Sequence, residues 1–248
     1  MENTVVRPDI FKGFPGVSAG QSTRHGGISP APWASLNLGK STDDSLENVA
    51  ENRKRFVHSL GFEPKQMAWS KQVHGSEIWQ VYQPGAAEGY DALISDQKNI
   101  LLCVSVADCT PILVYDSKNQ VIAAIHAGWK GTAAKLVGKT LQLMHHQFGT
   151  TGRDCSVYIG TCIDECSFEV GEEVAAQFDD IFKLYDPVRK KFFVDLKTAN
   201  ATQCWNFGIP VKQTEISPFC TFRHNHNFFS HRKEKGLTGR MMAAIGMQ

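Results

Sequence analysis

Hydrophobic positions recur with a helical period shortly after the polar residues 41–44. The apolar set is Leu46, Val49, Phe56, Val57 and Leu60. Residues spaced by three or four positions share one face of a helix, and the polar residues before them can cap its first turn. Gly61 follows at once and is typical of a helix end. The pattern predicts an amphipathic helix that covers a sheet.

Three nearly continuous apolar runs lie in the middle of the chain, at 100–106, 111–115 and 121–125. Runs of this length, rich in Val, Ile and Leu, are typical of strands that are covered on both faces. The preceding stretch, 67–82, also reads as extended, and we expect His74, next to Gly75, to lie at a bulge in it.

A second helical pattern follows Gly131. It consists of Ala133, Leu136, Val137, Leu141, Met144 and Phe148. The loop of Gly128, Trp129 and Lys130 is therefore expected to lead into a helix N-terminus, which attracts anions.

Two strands and two helices are predicted in the second half of the chain. The strands are expected at 156–159 and 210–216, and the helices at 170–178 and 196–207. With 248 residues, of which 42% are hydrophobic, the chain can bury a large core. No linker, repeat or low-complexity tract divides it. We expect a single domain over 1–248 with a mixed α/β (α+β) fold.

Charge adds little to this picture, because 26 basic and 25 acidic residues give a formal net charge of +1. Nothing electrostatic favours nucleic acid or an anionic membrane as the partner, so a small molecule fits better. The first residues lack a basic stretch followed by an apolar run, and no segment has the length of a membrane span. We expect a cytoplasmic protein whose 7 cysteines are mostly free thiols or ligands.

Candidate chemistry is concentrated at His74, Cys109 and His126. Two imidazoles and a thiolate form a ligand set of catalytic zinc, with a fourth position left open to water or substrate. The three residues are far apart in the sequence, and each alone could equally be an ordinary core or surface residue. Their neighbours Gly75, Asp108 and Gly128 are residues that a buried strand would not favour, which supports a site.

The motifs around these residues resemble a known family. They are Val-His-Gly, Ala-Asp-Cys-Thr-Pro, His-Ala-Gly-Trp-Lys-Gly-Thr, Phe-Phe-Ser-His-Arg and Thr-Gly-Arg-Met. Together with Ser-Thr-Arg-His-Gly-Gly near the start they resemble the family labelled multicopper polyphenol oxidoreductase or laccase-like, now regarded as purine nucleoside phosphorylases with adenosine deaminase activity. The resemblance covers nearly the whole chain.

The resemblance implies a layered α/β/β/α sandwich and a zinc ion bound by His74, Cys109 and His126. It also implies phosphorolysis of adenosine, inosine, guanosine and methylthioadenosine, and deamination of adenosine to inosine. Purine nucleosides and phosphate would then be the partners.

Three further residues are candidates for substrate binding in such an enzyme. Arg24 would donate charge-assisted hydrogen bonds to phosphate, and Lys130 would add a weaker attraction. Asn37 could bind ribose, although it could equally form a turn. Without the resemblance, Arg24 would read as a solvated turn residue.

The older oxidase label fits the histidine pattern poorly. A multicopper site needs many histidines, largely in His-x-His pairs, and this chain has 9 histidines and one such pair, His224 and His226. Copper oxidation is therefore disfavoured.

Two alternatives remain open from the sequence. A thiol hydrolase would use Cys109 as nucleophile and His126 or His74 as base on an amide or ester, such as a cell-wall precursor. A non-enzymatic binding module would keep the pocket without turnover. The hydrolase competes directly with the zinc hypothesis, because a thiolate bound to zinc is a poor free nucleophile.

Overall fold

The computed structural model describes residues 4–248, and β-strands form most of its regular structure. The strands are β1 (Val5–Val6), β2 (Val17–Ser22), β3 (Met67–Lys71), β4 (Ile78–Gln80), β5 (Gly85–Glu88), β6 (Ala92–Ser95), β7 (Leu101–Val106), β8 (Thr110–Asp116), β9 (Val121–Ala127), β10 (Cys155–Ile159), β11 (Glu169–Val170), β12 (Lys183–Asp186), β13 (Lys191–Val194), β14 (Thr214–Ile216) and β15 (Met241–Met247).

Helices connect and cover these strands. The α-helices are α1 (Leu46–Ser59), α2 (Trp129–Ala133), α3 (Leu136–Phe148), α4 (Glu172–Ala175) and α5 (Leu196–Asn206). Single 3₁₀ turns lie at Asp9–Phe11, Pro64–Gln66, Gly152–Asp154, Glu165–Ser167, Asp180–Phe182 and Val211–Gln213. None of the helices in the described part of the chain is long and apolar enough to cross a membrane.

Two six-stranded sheets pack face to face. The first has the order β1-β2-β15-β7-β3-β5 and the second the order β14-β10-β8-β9-β6-β4. Side chains from both sheets share one buried core, in which Leu102 and Ile245 of the first sheet meet Leu113 and Ile122 of the second. A small sheet, β11-β13-β12, lies beside them.

The helices form the two outer layers. Phe56 and Val57 of α1 pack with Leu101 and Met242 on the outer face of the first sheet. On the outer face of the second sheet, α3 and α5 pack in a separate cluster with residues of β8, β9 and β10. The expected mixed α/β fold with α/β/β/α layering is thus confirmed. That residues 1–248 form one domain stays a prediction.

Helix α1 and the three central strands lie where the hydrophobic pattern placed them. The cap of α1 is Ser45, whose side chain accepts a hydrogen bond from the Asn48 amide, one residue beyond the expected capping segment. Gly61, with a φ of 79°, follows the helix end. Every residue of β8 and β9 is buried, as expected for strands covered on both faces.

The helix expected at 170–178 is wrong for most of its length. Only Glu172–Ala175 is helical, and Glu169–Val170 instead forms β11, paired with β13. Phe168 and Val170 are buried beside this small sheet, so strand pairing rather than a helical face places them in the core.

Two other elements are shorter than expected. The helix after Gly131 is divided into α2 and α3 by Lys135, which has a left-handed φ of 58°. The strand expected at 210–216 is reduced to Thr214–Ile216, because Pro210 precedes a 3₁₀ turn.

Candidate functional site

His74 lies in the tight loop between β3 and β4. Its φ of 59° is left-handed, and its side chain is exposed. The carboxylate of Asp91 accepts hydrogen bonds from the backbone amides of Val73, His74 and Gly75, at 3.2, 3.0 and 2.7 Å. The residue therefore lies in a loop held by one buried side chain and not at a bulge within a strand.

Cys109 lies in the turn between β7 and β8. The preceding residue, Asp108, has a φ of 85°, and its carboxylate accepts hydrogen bonds from the Thr221 hydroxyl at 2.5 Å and the Arg232 amide at 2.6 Å. These contacts join the turn to the C-terminal part of the chain. They hold the half-buried thiol of Cys109 next to the two histidines.

His126 lies near the end of β9 and is almost fully buried, with 3% of its surface exposed. Its Nδ1 is 2.7 Å from Asp91 Oδ1, and its backbone amide donates to the Asp91 carbonyl at 2.7 Å. A carboxylate at Nδ1 fixes the ring and leaves Nε2 to bind another group.

The fold brings His74, Cys109 and His126, hereafter the donor trio, together from these three segments. Their ligand atoms lie within 4.8 Å of one another. The two imidazole rings meet edge to face with centroids 4.8 Å apart. A Cβ at Gly128 would come within 3.0 Å of the Cys109 sulfur and 3.2 Å of the His74 ring, so glycine leaves room for these two side chains to approach.

The donor trio fits zinc by its chemistry. Thiolate sulfur and imidazole nitrogen are ordinary zinc ligands, and bonds of about 2.0–2.3 Å in a tetrahedron separate ligand atoms by roughly 3.5 Å. The ligand atoms of the trio lie within 4.8 Å of one another, so binding one ion would draw them together by up to about 1 Å. Three protein ligands also leave one position for substrate or water.

Mutual charge favours a thiolate in this trio. Burial acts to raise the pKa of Cys109, but the charge of His126 and hydrogen bonds from His126 and His74 outweigh it and lower the pKa to about 6. For His126, burial acts to lower the pKa, yet the Cys109 thiolate and Asp91 raise it to about 9. Such a pair offers a deprotonated sulfur at neutral pH, as a metal ligand or a nucleophile requires.

Asp91 is the residue of this site that the sequence interpretation missed. It is fully buried and holds one histidine through its ring and the other through its loop. Burial works to raise its pKa, and the hydrogen bonds from His126 and the Gly75 amide lower it overall. A signal was present, because Asp91 directly precedes the wholly apolar start of β6, where a lone carboxylate needs a partner.

The donor trio lies in the wall of a cavity of about 730 Å³, which is within the usual range for small-molecule sites. Apolar surface comes from Trp69, Ile163 and Phe168. The lining also includes Lys40, Arg53, Lys71, Arg232 and Arg240, against one carboxylate, Asp108, within the described residues. The cavity is therefore cationic as well as partly apolar.

Comparison with known proteins places the chain in a family. Residues 18–248 match the family model described as "Multi-copper polyphenol oxidoreductase laccase". The chain belongs to this family. The resemblance drawn from the motifs is thereby confirmed.

Relatives match over almost their whole length. A protein named purine nucleoside phosphorylase from Bacteroides thetaiotaomicron is 36% identical, over 96% of this chain and 94% of its own. One named purine nucleoside phosphorylase YlmD, from Geobacillus stearothermophilus, is 33% identical over 94% of this chain and 91% of its own. The crystal structure of YlmD from that organism matches with a TM-score of 0.93 at 31% identity, covering 100% of this chain and 97% of the other.

A structure from a third organism agrees. The Bacillus licheniformis protein YfiH, described as hypothetical, matches with a TM-score of 0.93 at 29% identity, over 99% of this chain and 97% of its own. The layered fold described above is thus common to members of the family.

The family's name refers to several copper ions. The described residues contain no set of sites that could hold several ions. Among residues 4–248, the donor trio is the one group of three or more His, Cys, Asp or Glu side chains placed to hold an ion. His224 and His226, the single His-x-His pair, have ring centroids 6.2 Å apart, and His224 Nδ1 contacts the backbone of Cys220.

Arg24, expected at phosphate, does not line the cavity. Its guanidinium donates to the carbonyls of Ala34 and Asn225 and to the carboxylate of Glu234, at 3.1, 2.7 and 3.1 Å. It also lies over the ring of Phe229. These partners engage three of the five N–H donors of Arg24 within the protein, and its contact with phosphate stays a prediction.

Asn37 and Lys130 also lie outside the cavity lining. Asn37 is fully buried, and its amide donates to Thr42 and Asp44 and accepts from the backbone of Gly39 and Arg240. Both ends of the amide are engaged inside the protein, and its contact with ribose stays a prediction.

Lys130 is exposed, with its Nζ over the ring of Trp129 at 5.6 Å. The expected helix at this point begins at Trp129 and lasts five residues, which is too short for a strong dipole to support an anion.

Proposed function

We propose that this protein is a purine nucleoside phosphorylase, a transferase that depends on zinc bound by the donor trio. The observation that carries the proposal is the position of the trio in the wall of a cationic cavity, in a chain whose full-length relatives are named purine nucleoside phosphorylases. In the proposed reaction a phosphate oxygen bonds to C1′ of the ribose. The bond from C1′ to the purine breaks, and the base leaves with a proton that balances the one lost by the hydrogen phosphate.

His74, Cys109 and His126 would hold the ion. When bound, zinc would supply Lewis acidity toward an oxygen of phosphate or water. Asp91 keeps the His126 ring and the His74 loop in place through four hydrogen bonds, so these two parts of the site are oriented before any ligand arrives. This orientation reduces what must be reorganised on binding.

The rest of the cavity offers surfaces that suit a nucleoside and an oxyanion. Trp69 and Phe168 are aromatic, and Ile163 adds a further apolar surface, which fits a flat purine ring. The cationic lining fits phosphate, since a charged donor stabilises an anion more strongly than a neutral one. Together they bring the two reactants into one enclosed space.

The proposed substrates are adenosine, inosine, guanosine and methylthioadenosine. All four share a purine and a ribose ring, and a cavity of about 730 Å³ can enclose them. The proposal includes deamination of adenosine to inosine in the same cavity, where the oxygen of water would bond to C6 of the purine and the amino group would leave as ammonia.

The test is incubation of the purified protein with adenosine or inosine, with and without phosphate, followed by separation of bases, nucleosides and ribose 1-phosphate. We expect free base and ribose 1-phosphate in equal amounts and only when phosphate is present. Inosine formed from adenosine without phosphate would report the deamination. Wild-type product levels equal to those of His126→Ala would contradict the proposal.

A cysteine-dependent hydrolase is the second candidate. The low pKa of Cys109, about 6 against the burial that opposes it, is also what a nucleophilic cysteine paired with His126 requires. Alkylation separates the two functions. A hydrolase predicts rapid loss of activity with iodoacetamide in protein as purified, whereas a zinc-bound thiolate is protected until a chelator removes the ion.

A further inference from the structure

Three cations converge at one part of the cavity, from three separate segments of the chain. They are Lys40, Arg53 and Arg240, hereafter the basic corner. Arg53 is on the buried face of α1, with 7% of its surface exposed. Its Nε donates to the Leu38 carbonyl at 2.8 Å, and its guanidinium lies 4.8 Å from the ring of Trp69. The Lys40 amine lies 4.7 Å from the same ring.

The fold holds these cations close together. Arg240 directly precedes β15, and its carbonyl accepts a hydrogen bond from the Leu38 amide at 2.9 Å. A Cβ at Gly39 would come within 2.5 Å of the Arg240 side chain, so this glycine lets the arginine lie against the loop that carries Lys40. Nη1 of Arg240 donates to the carbonyls of Thr238 and Gly239, both at 3.0 Å.

The basic corner, in which Arg53 is buried, Arg240 half-buried and Lys40 exposed, lacks the carboxylate partners that other cations in this protein have. Lys197 pairs with Asp164 at 2.5 Å, and Arg24 pairs with Glu234 at 3.1 Å. Within residues 4–248, no Asp or Glu lies at ion-pair distance from Lys40, Arg53 or Arg240, and the nearby Asp108 accepts from Thr221 and the Arg232 amide.

Burial makes the positive charge of Arg53 costly when no anion is near. Burial lowers the pKa of Arg53 to about 10, and burial together with the charge of Arg53 lowers the pKa of Lys40. For each of these residues, a lowered pKa means that the surroundings disfavour the positively charged form. Cations kept in such a place without a carboxylate are suited to a negatively charged ligand that arrives from solvent.

We propose that Lys40, Arg53 and Arg240 form an oxyanion subsite that takes a phosphate group, in the wall of the same cavity as the donor trio. This rests on the proposed function for the choice of phosphate as ligand. Two guanidinium groups and an ammonium suit a tetrahedral dianion, which can accept several hydrogen bonds at once. The group can be inorganic phosphate, the co-substrate, or a phosphoryl group carried by a nucleoside.

The experiment is calorimetric titration of the protein, as purified with its metal, with inorganic phosphate and separately with inosine 5′-monophosphate. The variants are Lys40→Gln, Arg240→Gln and Arg240→Lys, with thermal unfolding as the check of folding. Lys54→Gln is the matched control, because Lys54 is next to Arg53 on α1 but exposed and outside the cavity lining.

We expect Lys40→Gln and Arg240→Gln each to raise the Kd for phosphate about tenfold, with Arg240→Lys in between and Lys54→Gln unchanged. If the variants weaken only the nucleotide, the subsite takes a carried phosphoryl group. Unchanged affinity of folded Lys40→Gln and Arg240→Gln for both ligands would overturn the subsite, as would an equal loss in Lys54→Gln. Binding that depends on these residues in a protein without phosphorolysis would keep the subsite and reject the proposed function.

Discussion

The donor trio and the basic corner lie in the wall of one cavity but are built in opposite ways. Around the trio, Asp91 satisfies the His126 ring and the backbone of the His74 loop, so the polar groups there have partners inside the protein. At the basic corner, Arg53 and Arg240 donate to backbone carbonyls and have no carboxylate partner among the described residues. The side chains of the donor trio are held in place by the protein alone. The charges of the basic corner are balanced only when an anion binds.

The contrast explains how one cavity can hold a metal ion in one place and bind an anionic ligand in another. A preorganised donor set can hold an ion tightly, because its orientation costs nothing at the moment of binding. Cations without a fixed partner leave their hydrogen-bonding capacity for a ligand that must also depart.

The largest effect is expected from Cys109→Ser. A hydroxyl is a much weaker zinc ligand than a thiolate, so we expect the variant to lose bound zinc and to lower phosphorolytic kcat/KM at least about a thousandfold. Metal content and base release measured on the same preparation check this. Cys166→Ser is the control, because Cys166 is exposed and outside the cavity. Full activity in the Cys109 variant would remove the trio from the chemistry.

Asp91→Asn is expected to have the next largest effect. The amide can no longer accept from all four donors, so the His126 ring and the His74 loop lose their common support. We expect zinc affinity to fall about 10- to 100-fold. Competition with a chelator measures this affinity, and Asp96→Asn, at an exposed site, should leave it unchanged. Equal affinities in wild type and Asp91→Asn would show that the trio is held without Asp91.

A pH effect is expected at the loop that carries Lys40. Burial acts to raise the pKa of Asp44, but hydrogen bonds from Ser29, Asn37 and Asn48 lower it overall. Because the pKa is lower in the folded state, this stabilisation is complete above the ordinary value of about 4 and is lost as the pH falls through the folded value. Urea unfolding from about pH 5 to pH 2.5 should therefore show a steeper loss of stability in wild type than in Asp44→Asn. Parallel pH dependences of the unfolding free energy in wild type and Asp44→Asn would contradict a stabilising role of the Asp44 carboxylate.

The smallest effect on phosphate is expected from Arg24→Gln. The ion pair with Glu234 is mostly buried, so its loss should lower the free energy of unfolding by about 1–2 kcal/mol. The Kd for phosphate should change less than about twofold, since a tenfold change would need a direct charged contact. A tenfold rise would return Arg24 to the phosphate site and weaken the case for the basic corner.

Most of the fold was predictable where the hydrophobic pattern alone decides it. The runs at 100–106 and 121–125 are strands because both of their faces are covered, and the period of α1 matches its single buried face. The helix prediction for 170–178 was wrong because Val170, in a strand, and Phe178, in a turn, are buried in the same cluster. Periodicity cannot separate these in a short run.

The site was predictable in its donors and less so in their surroundings. Small and polar neighbours indicated His74, Cys109 and His126, whereas the contacts of Asp91 span separate segments and are set by the sheet topology. The sequence does contain a signal for Arg53, since this residue lies four positions after Val49 and three before Phe56, on the apolar face of α1. The sequence contains no such signal for Lys40 or Arg240, because only the folded chain brings their segments together.

The most direct test of the account is a zinc titration of chelator-stripped protein, with phosphate-dependent release of hypoxanthine from inosine as the readout. If zinc in the donor trio is required for phosphorolysis, release should be almost absent without metal, rise linearly with added zinc, and level off at one zinc ion per chain. Full activity in the stripped protein, or activity restored only by several copper ions per chain, would contradict it.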